Sequence, residues 1–186
     1  MKSVKIFACL FVSVISYFLQ NEIRWDSNRK LKWSDFRQTI PKNHAEVAVT
    51  WSGITLDTKQ KNEHLIALVI YAYFDEKLSS KVKETEDLTE GILRHEQGHF
   101  DIREWYARVL RKKLIDTTLT RSYQVSIIYD KIIKDASIIE DKYDQETQHG
   151  VDSVAQYKWD TIIKNKLKEY SAYSITEFQV NIIKNK

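Results

Sequence analysis

The chain has 186 residues and a mass of 22.0 kDa, enough for one domain with its own hydrophobic core. Its 42% hydrophobic and 30% charged residues are typical of a globular protein, and four glycines and one proline argue against a flexible interdomain linker. The net charge of +3, with basic and acidic residues interleaved, argues against a nucleic-acid-binding protein.

The first twenty residues have the layout of a secretory signal peptide. Lys2 and Lys5 precede an apolar stretch from Ile6 to Leu19 that is interrupted only by Ser13 and Ser16. The stretch is shorter than the roughly 20 residues that a membrane-spanning helix needs. We therefore predict export, either as a secreted protein or to the periplasm and cell envelope.

Cleavage of this segment should leave a mature N-terminus between Tyr17 and Trp25, and a single domain over residues 21–186. The alternative is an uncleaved anchor, which would be the chain's one membrane contact. Cys9, the only cysteine, lies in this segment. The mature domain would then have neither disulfides nor cysteine ligands.

Three segments of the N-terminal half are predicted as strands. Lys30 to Phe36 alternates apolar and polar residues, and Ala45 to Leu56 is rich in β-branched and aromatic residues, with a bend at Gly53. His64 to Phe74 is a nearly continuous apolar run, which indicates a buried strand. An edge of that strand could hold an extended peptide.

From Leu88 the apolar period becomes helical, which predicts a first long helix. A second helix is predicted from Gln124 to His149, with Gly150 as its C-terminal glycine, and a third from Ser153 to Tyr170. The pattern from Ser171 onward does not decide between strand and coil. Antiparallel strands followed by three helices predict an α+β fold.

The pentapeptide His95-Glu96-Gln97-Gly98-His99 matches H-E-x-x-H. On a helix the two histidines share one face about 6 Å apart, so that one zinc ion can bind both. They also lie on the apolar stripe of the helix, which places them toward the interior. Glu96 would be the catalytic base that takes a proton from a water bound to the zinc. The alternative is two core histidines satisfied by hydrogen bonds.

A catalytic zinc site needs a third protein ligand, and none follows His99 at a suitable angle on the same helix. We predict His149 as the third ligand, with Glu146 as the alternative because it continues the apolar stripe of the second helix. The competing interpretation is a histidine at the helix C-terminus with Glu146 as its ionic partner.

Other polar residues near the motifs are assigned supporting roles. Asp101 points about 120° away from His95 on a helical wheel, which makes it a supporting acid rather than a ligand. Tyr143 and Tyr106 are the candidates for stabilising an oxyanion.

The segment His95–Ile102, together with Tyr143-Asp144-x-Glu146-Thr147-x-His149-Gly150, resembles a bacterial domain family known mainly as secreted zinc-dependent proteases of unknown function. Leu31-x-Trp33-Ser34-Asp35-Phe36 and Gln156-x-x-Trp159 are similar to its flanking motifs. The resemblance extends from about Trp25 to Trp159. It implies a signal peptide, a zincin-like fold, and zinc on the two histidines of the pentapeptide with its glutamate as base.

These observations favour an exported zinc peptidase acting on a peptide or protein substrate. The alternative is a non-catalytic zinc-binding envelope protein or interaction module, whose site would be closed by four protein ligands. A di-metal carboxylate oxidase is disfavoured, since only Glu146-x-x-His149 has the required spacing with an inward face and such sites need two of these motifs.

Overall fold

The computed structural model describes residues 21–42, 46–84 and 87–183. The predicted signal peptide, residues 1–20, lies outside this part of the chain. Strands precede three long helices, and one further strand follows them. The predicted α+β class, with antiparallel strands before three helices, is therefore confirmed.

The larger sheet is built around β5 (Leu65–Asp75), which matches the predicted buried strand. β4 (Ser52–Asn62) pairs with one edge of β5 in antiparallel orientation. The other edge pairs with β1 (Glu22–Arg24) and with β7 (Glu177–Asn181), so the undecided tail adds a strand. Both edges of β5 are therefore occupied. The expectation that this strand offers a free edge to a peptide is wrong.

A smaller sheet contains β2 (Gln38–Ile40), β6 (Ser80–Val82) and β3 (Ala48–Val49), in the order β2-β6-β3. β2 runs parallel to β6, whereas β3 is antiparallel to it and forms an edge of the sheet. The single strand predicted up to Leu56 is wrong, because the chain changes sheets between β3 and β4. The backbone N–H of Trp51 donates to the side chain of Ser79 at this crossing. The break thus precedes Gly53, where the bend was expected.

No strand forms over Lys30–Phe36, in contrast to the prediction. The segment contains a short 3-10 turn at Trp33–Asp35. The carboxylate of Asp35 accepts the backbone N–H of Lys32 at 2.8 Å and pairs with Arg29 at 3.0 Å. The Asp35 carboxylate therefore stabilises a turn. It accepts the Lys32 N–H, which in a strand would donate to the backbone of a neighbouring strand.

The three helices are α1 (Glu90–Asp116), α2 (Gln124–Thr147) and α3 (Ser153–Glu169). α1 begins after Thr89, whose hydroxyl accepts the backbone N–H of Ile92 at 3.2 Å. α1 packs against β5 as well as against α2 and α3, so it is the central element of the domain. Among the described helices, none combines the length and the apolar character needed to cross a bilayer.

Candidate metal centre

His95 and His99 lie one turn apart in α1, and their Nε2 atoms are 3.2 Å apart. Asp144 approaches them from α2. Its Oδ1 atom is 3.1 Å from Nε2 of His95 and 2.9 Å from Nε2 of His99. Two nitrogens and one oxygen therefore form a triangle with nearly equal sides.

The triangle has the dimensions of three ligands around one small cation. A tetrahedral zinc ion with bonds of about 2.0–2.1 Å places its ligand atoms about 3.3 Å apart. Although both imidazole nitrogens are close to Oδ1 of Asp144, neither contact is aligned as a hydrogen bond. Within the described residues, this buried oxygen has no hydrogen-bond partner. A cation would satisfy all three atoms at once, so the donor set fits a metal ion.

Hydrogen bonds on the far side of the ring orient His95. Its Nδ1 atom lies 3.2 Å from Oε1 of Gln156 and 3.3 Å from the hydroxyl of Thr147. A proton on Nδ1 satisfies the amide oxygen and leaves the lone pair of Nε2 directed toward Asp144. Gln156 is fully buried, and it belongs to the segment that the sequence marked only as a flanking motif.

Mutual contact shifts the pKa values within the triangle. Burial acts to raise the pKa of Asp144, but the two imidazoles hold it well below its usual range. Burial acts to lower the pKa of His99, yet the carboxylates of Asp144 and Glu96 raise it above its ordinary value. Asp144 is thus ionised at neutral pH, as a metal ligand must be.

Glu96 is 4% exposed and lines the cleft beside the two histidines. Its Oε2 atom is buried, and no hydrogen bond to it exists in the described part of the chain. An unsatisfied buried polar atom costs about 1–3 kcal/mol or more when charged. This oxygen therefore has the position and the free lone pairs of a group that binds a proton or a water in the cleft.

His149 lies near the triangle but is farther from Asp144 than His99 is. Its Nδ1 atom is 3.9 Å from Oδ1 of Asp144 and 3.5 Å from Oε1 of Glu46, and its side chain is 55% exposed. The donor atoms of His95, Asp144 and His149 all lie within 4.8 Å of one another. The structure thus brings the predicted third ligand to the site, while Asp144, which the sequence reasoning missed, makes the shorter contacts.

Glu146 is exposed, so the expectation that it continues the buried stripe of α2 is wrong. Its carboxylate accepts the indole N–H of Trp159 at 2.8 Å and pairs with Lys142 at 3.6 Å. No described contact links it to His95 or His99. Its place in the motif is explained by the packing of α2 against α3.

Tyr143 joins the two motifs. Its ring stacks on the His95 ring, with centroids 4.6 Å apart, and its hydroxyl donates to the His95 carbonyl oxygen at 3.0 Å. A Cβ atom added to Gly98 would lie 2.1 Å from the Tyr143 hydroxyl oxygen, so glycine is required there for the close approach. Because its one proton is already donated, Tyr143 does not fit the suggested oxyanion role. Tyr106, the other candidate, lines a different pocket.

The turn after α2 supplies a second glycine contact. Gln148, His149 and Gly150 are all left-handed, with φ values of 50°, 54° and 83°. The helix ends at Thr147, two residues before the predicted end. A Cβ atom on Gly150 would lie 2.7 Å from Cβ of His95. The left-handed turn therefore packs the second motif against His95, the first histidine of the pentapeptide.

Asp101 lies behind the pentapeptide and anchors the segment that precedes β2. It accepts the indole N–H of Trp25 at 2.7 Å and the amide N–H of Gln97 at 2.8 Å. The Gln97 side-chain oxygen in turn accepts the backbone N–H of Leu31 at 2.8 Å. The contacts of Asp101 are therefore those of a structural acid.

The triangle opens into a cleft of about 330 Å³. Residues Val47–Thr50, which include the edge strand β3, form one wall, and α1 and α2 form the others. Arg103 and Glu140 form an ion pair in the lining, and burial raises the pKa of Glu140 despite this arginine. The candidate metal centre is therefore accessible to a ligand from outside.

The family described as "Bacterial protein of unknown function (DUF922)" matches residues 70–150. The matched range includes the H-E-x-x-H pentapeptide and the motif that ends at Gly150, and it stops short of Gln156. Comparisons with curated proteins and with solved structures give no match.

Proposed function

We propose that this protein is an exported zinc-dependent peptidase whose centre consists of His95, His99, Asp144 and Glu96. One observation supports this function above the others. Three potential ligand atoms lie 2.9–3.2 Å apart, beside a buried carboxylate that has no hydrogen-bond partner among the described residues. An open cleft leads to this arrangement.

The two imidazoles and the Asp144 carboxylate would hold the metal, and two nitrogens with one oxygen suit zinc. Zinc in such a site supplies Lewis acidity, which lowers the pKa of a coordinated water to about 7 and polarises a carbonyl group. Asp144 contributes one negative charge, and Gln156 fixes the His95 ring with Nε2 toward the ligand triangle.

Glu96 is the proposed general base. Its Oε2 atom accepts a proton from the attacking water and later delivers that proton to the leaving amine. The buried position of Glu96 keeps bulk water from competing for the carboxylate, and the cleft places the substrate beside it.

β3 is the proposed binding edge for an extended peptide. It lines the cleft and is an edge strand of the smaller sheet, so its backbone can pair with a peptide strand. His149, which lies next to the ligand triangle and is half-exposed, would donate a hydrogen bond to the peptide carbonyl oxygen.

The second candidate function is a non-catalytic zinc site, favoured by the position of His149. Its donor atom lies within 4.8 Å of those of His95 and Asp144, so a modest movement would make it a fourth ligand. X-ray absorption of the zinc-loaded protein distinguishes the two: two imidazoles with two oxygen ligands support the peptidase, and three imidazoles with one oxygen support the closed site.

Three variants of acidic residues test the proposal. Asp144→Asn should weaken zinc binding by at least about 100-fold, beyond the 10–100-fold typical of a supporting residue. Glu96→Gln should retain zinc but lose about 10²–10⁴-fold in turnover of denatured casein or of a fluorogenic peptide library. Asp141→Asn is the matched control, because Asp141 lines the same cleft but is no part of the triangle.

Zinc affinity is measured by competition with a chromogenic chelator, and turnover by fluorescence. Equal zinc affinity in Asp144→Asn and Asp141→Asn would contradict the assignment of the third ligand. A Glu96→Gln variant as active as the unchanged protein would remove the hydrolytic mechanism.

A further inference from the structure

A second and larger cleft, of about 880 Å³, lies between α1, α3 and the segment around Trp25. It is lined by residues of α1 other than those that face the metal centre. Its lining includes the apolar side chains of Trp25, Leu31, Leu93 and Ile163. Its volume is sufficient for a ligand with an apolar body of several carbon atoms.

A buried cluster with excess positive charge adjoins this cleft. Oε1 of Glu104 accepts hydrogen bonds from Nε of Arg108 at 2.8 Å and from Nη2 of Arg111 at 2.9 Å. Glu104, Arg108 and Arg111 are 3%, 7% and 0% exposed. Two guanidinium groups thus share one carboxylate in the interior. Burial of an unbalanced positive charge costs free energy. An anion bound nearby would offset part of that cost.

Arg108 is the member of this cluster that lines the cleft. Its Nη1 atom donates to the carbonyl oxygen of Leu167, but its Nη2 atom makes no hydrogen bond to any residue that the structure describes. Lys164 and Lys168, one turn apart on α3, line the same cleft. Neither lysine takes part in an ion pair within the described ranges. The cleft therefore has a surplus of cationic donors.

The other cationic residues of the lining are balanced locally. Arg94 pairs with Asp160 at 3.5 Å, and Lys30 pairs with Asp101 at 3.4 Å. The remaining acidic residue of the lining, Glu90, precedes Arg108 by 18 residues on α1, so it lies toward the other end of the cleft from Arg108. The surplus of positive charge is therefore greatest where Arg108 and the two lysines line the cleft.

We propose that this cleft binds a small anionic amphiphile, namely a molecule with one carboxylate or phosphate head group and an apolar chain. The head group would lie beside Arg108, Lys164 and Lys168, where it meets unpaired N–H donors and excess positive charge. The chain would lie on Trp25 and Ile163, which removes apolar surface from water. This site is separate from the metal centre and does not require the proposed peptidase activity.

Isothermal titration calorimetry with octanoate and with octyl phosphate tests the proposal. The anion that binds with the higher affinity identifies the preferred head group. Octylamine, with the same chain and the opposite charge, should not bind. From hexanoate to decanoate, affinity should rise about threefold to fourfold for each added methylene that is buried. Titrations use both zinc-free and zinc-loaded protein, because carboxylates also ligate zinc. Binding that requires zinc would place the probe at the metal and overturn the proposal.

Charge reversal on α3 locates the site. Lys164→Glu/Lys168→Glu should weaken binding of the preferred anion by at least about fivefold, since each exposed ionic contact contributes modestly. Lys134→Glu/Lys158→Glu is the matched control, with the same change in net charge at exposed lysines outside the cleft. Equal affinity in the two double variants, or no heat of binding for either anion at millimolar concentration, would refute the proposal.

Discussion

Replacing Gly98 with alanine tests the contact between the two motifs, because the new methyl group would collide with Tyr143. The added Cβ atom would lie 2.1 Å from the hydroxyl oxygen and 2.6 Å from Cζ of that ring. The ring would have to withdraw by about 1 Å or more, since a Cβ is rarely closer than 3.4 Å to such atoms. Its hydrogen bonds to the carbonyl oxygen of His95 and with Gln156 would then be lost.

Overpacking of this kind costs about 1–3 kcal/mol, and a buried group left without its hydrogen bond costs about 1–3 kcal/mol more. The gain in helix propensity from glycine to alanine returns about 1 kcal/mol. We therefore expect Gly98→Ala to lower the free energy of unfolding by about 1–5 kcal/mol. Zinc affinity should fall about 10–100-fold, because Tyr143 stacks on His95, a proposed zinc ligand.

Gly91→Ala in the same helix is the matched control. The nearest atom to a Cβ there is the Thr89 hydroxyl oxygen at 3.6 Å, an ordinary contact. This variant should be neutral or stabilised by up to about 1 kcal/mol. Urea denaturation of zinc-free protein, followed by circular dichroism, gives both free energies. Gly98→Ala/Tyr143→Leu should be less destabilised than the sum of its single changes. If Gly98→Ala were as stable as Gly91→Ala, the close approach would not constrain the fold.

Two further predictions concern β1 and the N-terminus. Glu22 lies opposite Asp75 across β1 and β5, and partial burial and this like charge raise its pKa above the ordinary 4.5. Its protonated form is favoured in the folded state, so stability should fall as pH rises through the raised pKa. Glu22→Gln should remove this loss of stability and so stabilise the protein by about 0.2–1 kcal/mol at pH 7, and by less at pH 4. Thermal unfolding of both proteins at the two pH values measures the difference. Equal stabilisation at pH 7 and pH 4 would contradict the prediction. The mature N-terminus should lie in the predicted window from Tyr17 to Trp25, and at or before Glu22 within it, because later cleavage would remove β1. Mass spectrometry of protein from its native host checks this; an intact Met1 on membrane-bound protein would support the uncleaved anchor instead.

The three helices were predictable because each buries one apolar face with the helical period. α3 begins at Ser153 as predicted and ends one residue before the predicted Tyr170. Their relative positions could not be predicted in the same way, since those depend on contacts between distant residues. The alternation over Lys30–Phe36 is an example. It reflects the burial of Leu31 and Phe36 on either side of a turn rather than a strand.

The failure to predict Asp144 as a candidate ligand has a geometrical explanation. The sequence placed the buried stripe of α2 on Ile128, Ile132, Ile139, Tyr143 and Glu146. The buried residues are Val125, Ile132, Ala136, Tyr143 and Thr147, so Ile132 and Tyr143 were predicted correctly. At 100° per residue the true face is rotated by about 40° from the predicted one, toward Asp144. Ala136 and Thr147 are too small or too polar to reveal such a shift by hydropathy alone. His95, Glu96 and His99 were identifiable from the pentapeptide because a fixed local spacing defines their arrangement.

The position of β7 has a consequence for the order in which the chain can fold. β5 is the most apolar strand of the sheet, and half of one edge pairs with a strand that follows it by roughly 110 residues in the sequence. Until that late segment has been synthesised, Leu65–Val69 retains unpaired backbone groups beside apolar side chains, the combination that promotes aggregation. Closing so long a loop is slow. A nascent chain released before its final strand would therefore be prone to associate with other copies, and a chaperone that shields β5 should increase the yield of folded protein.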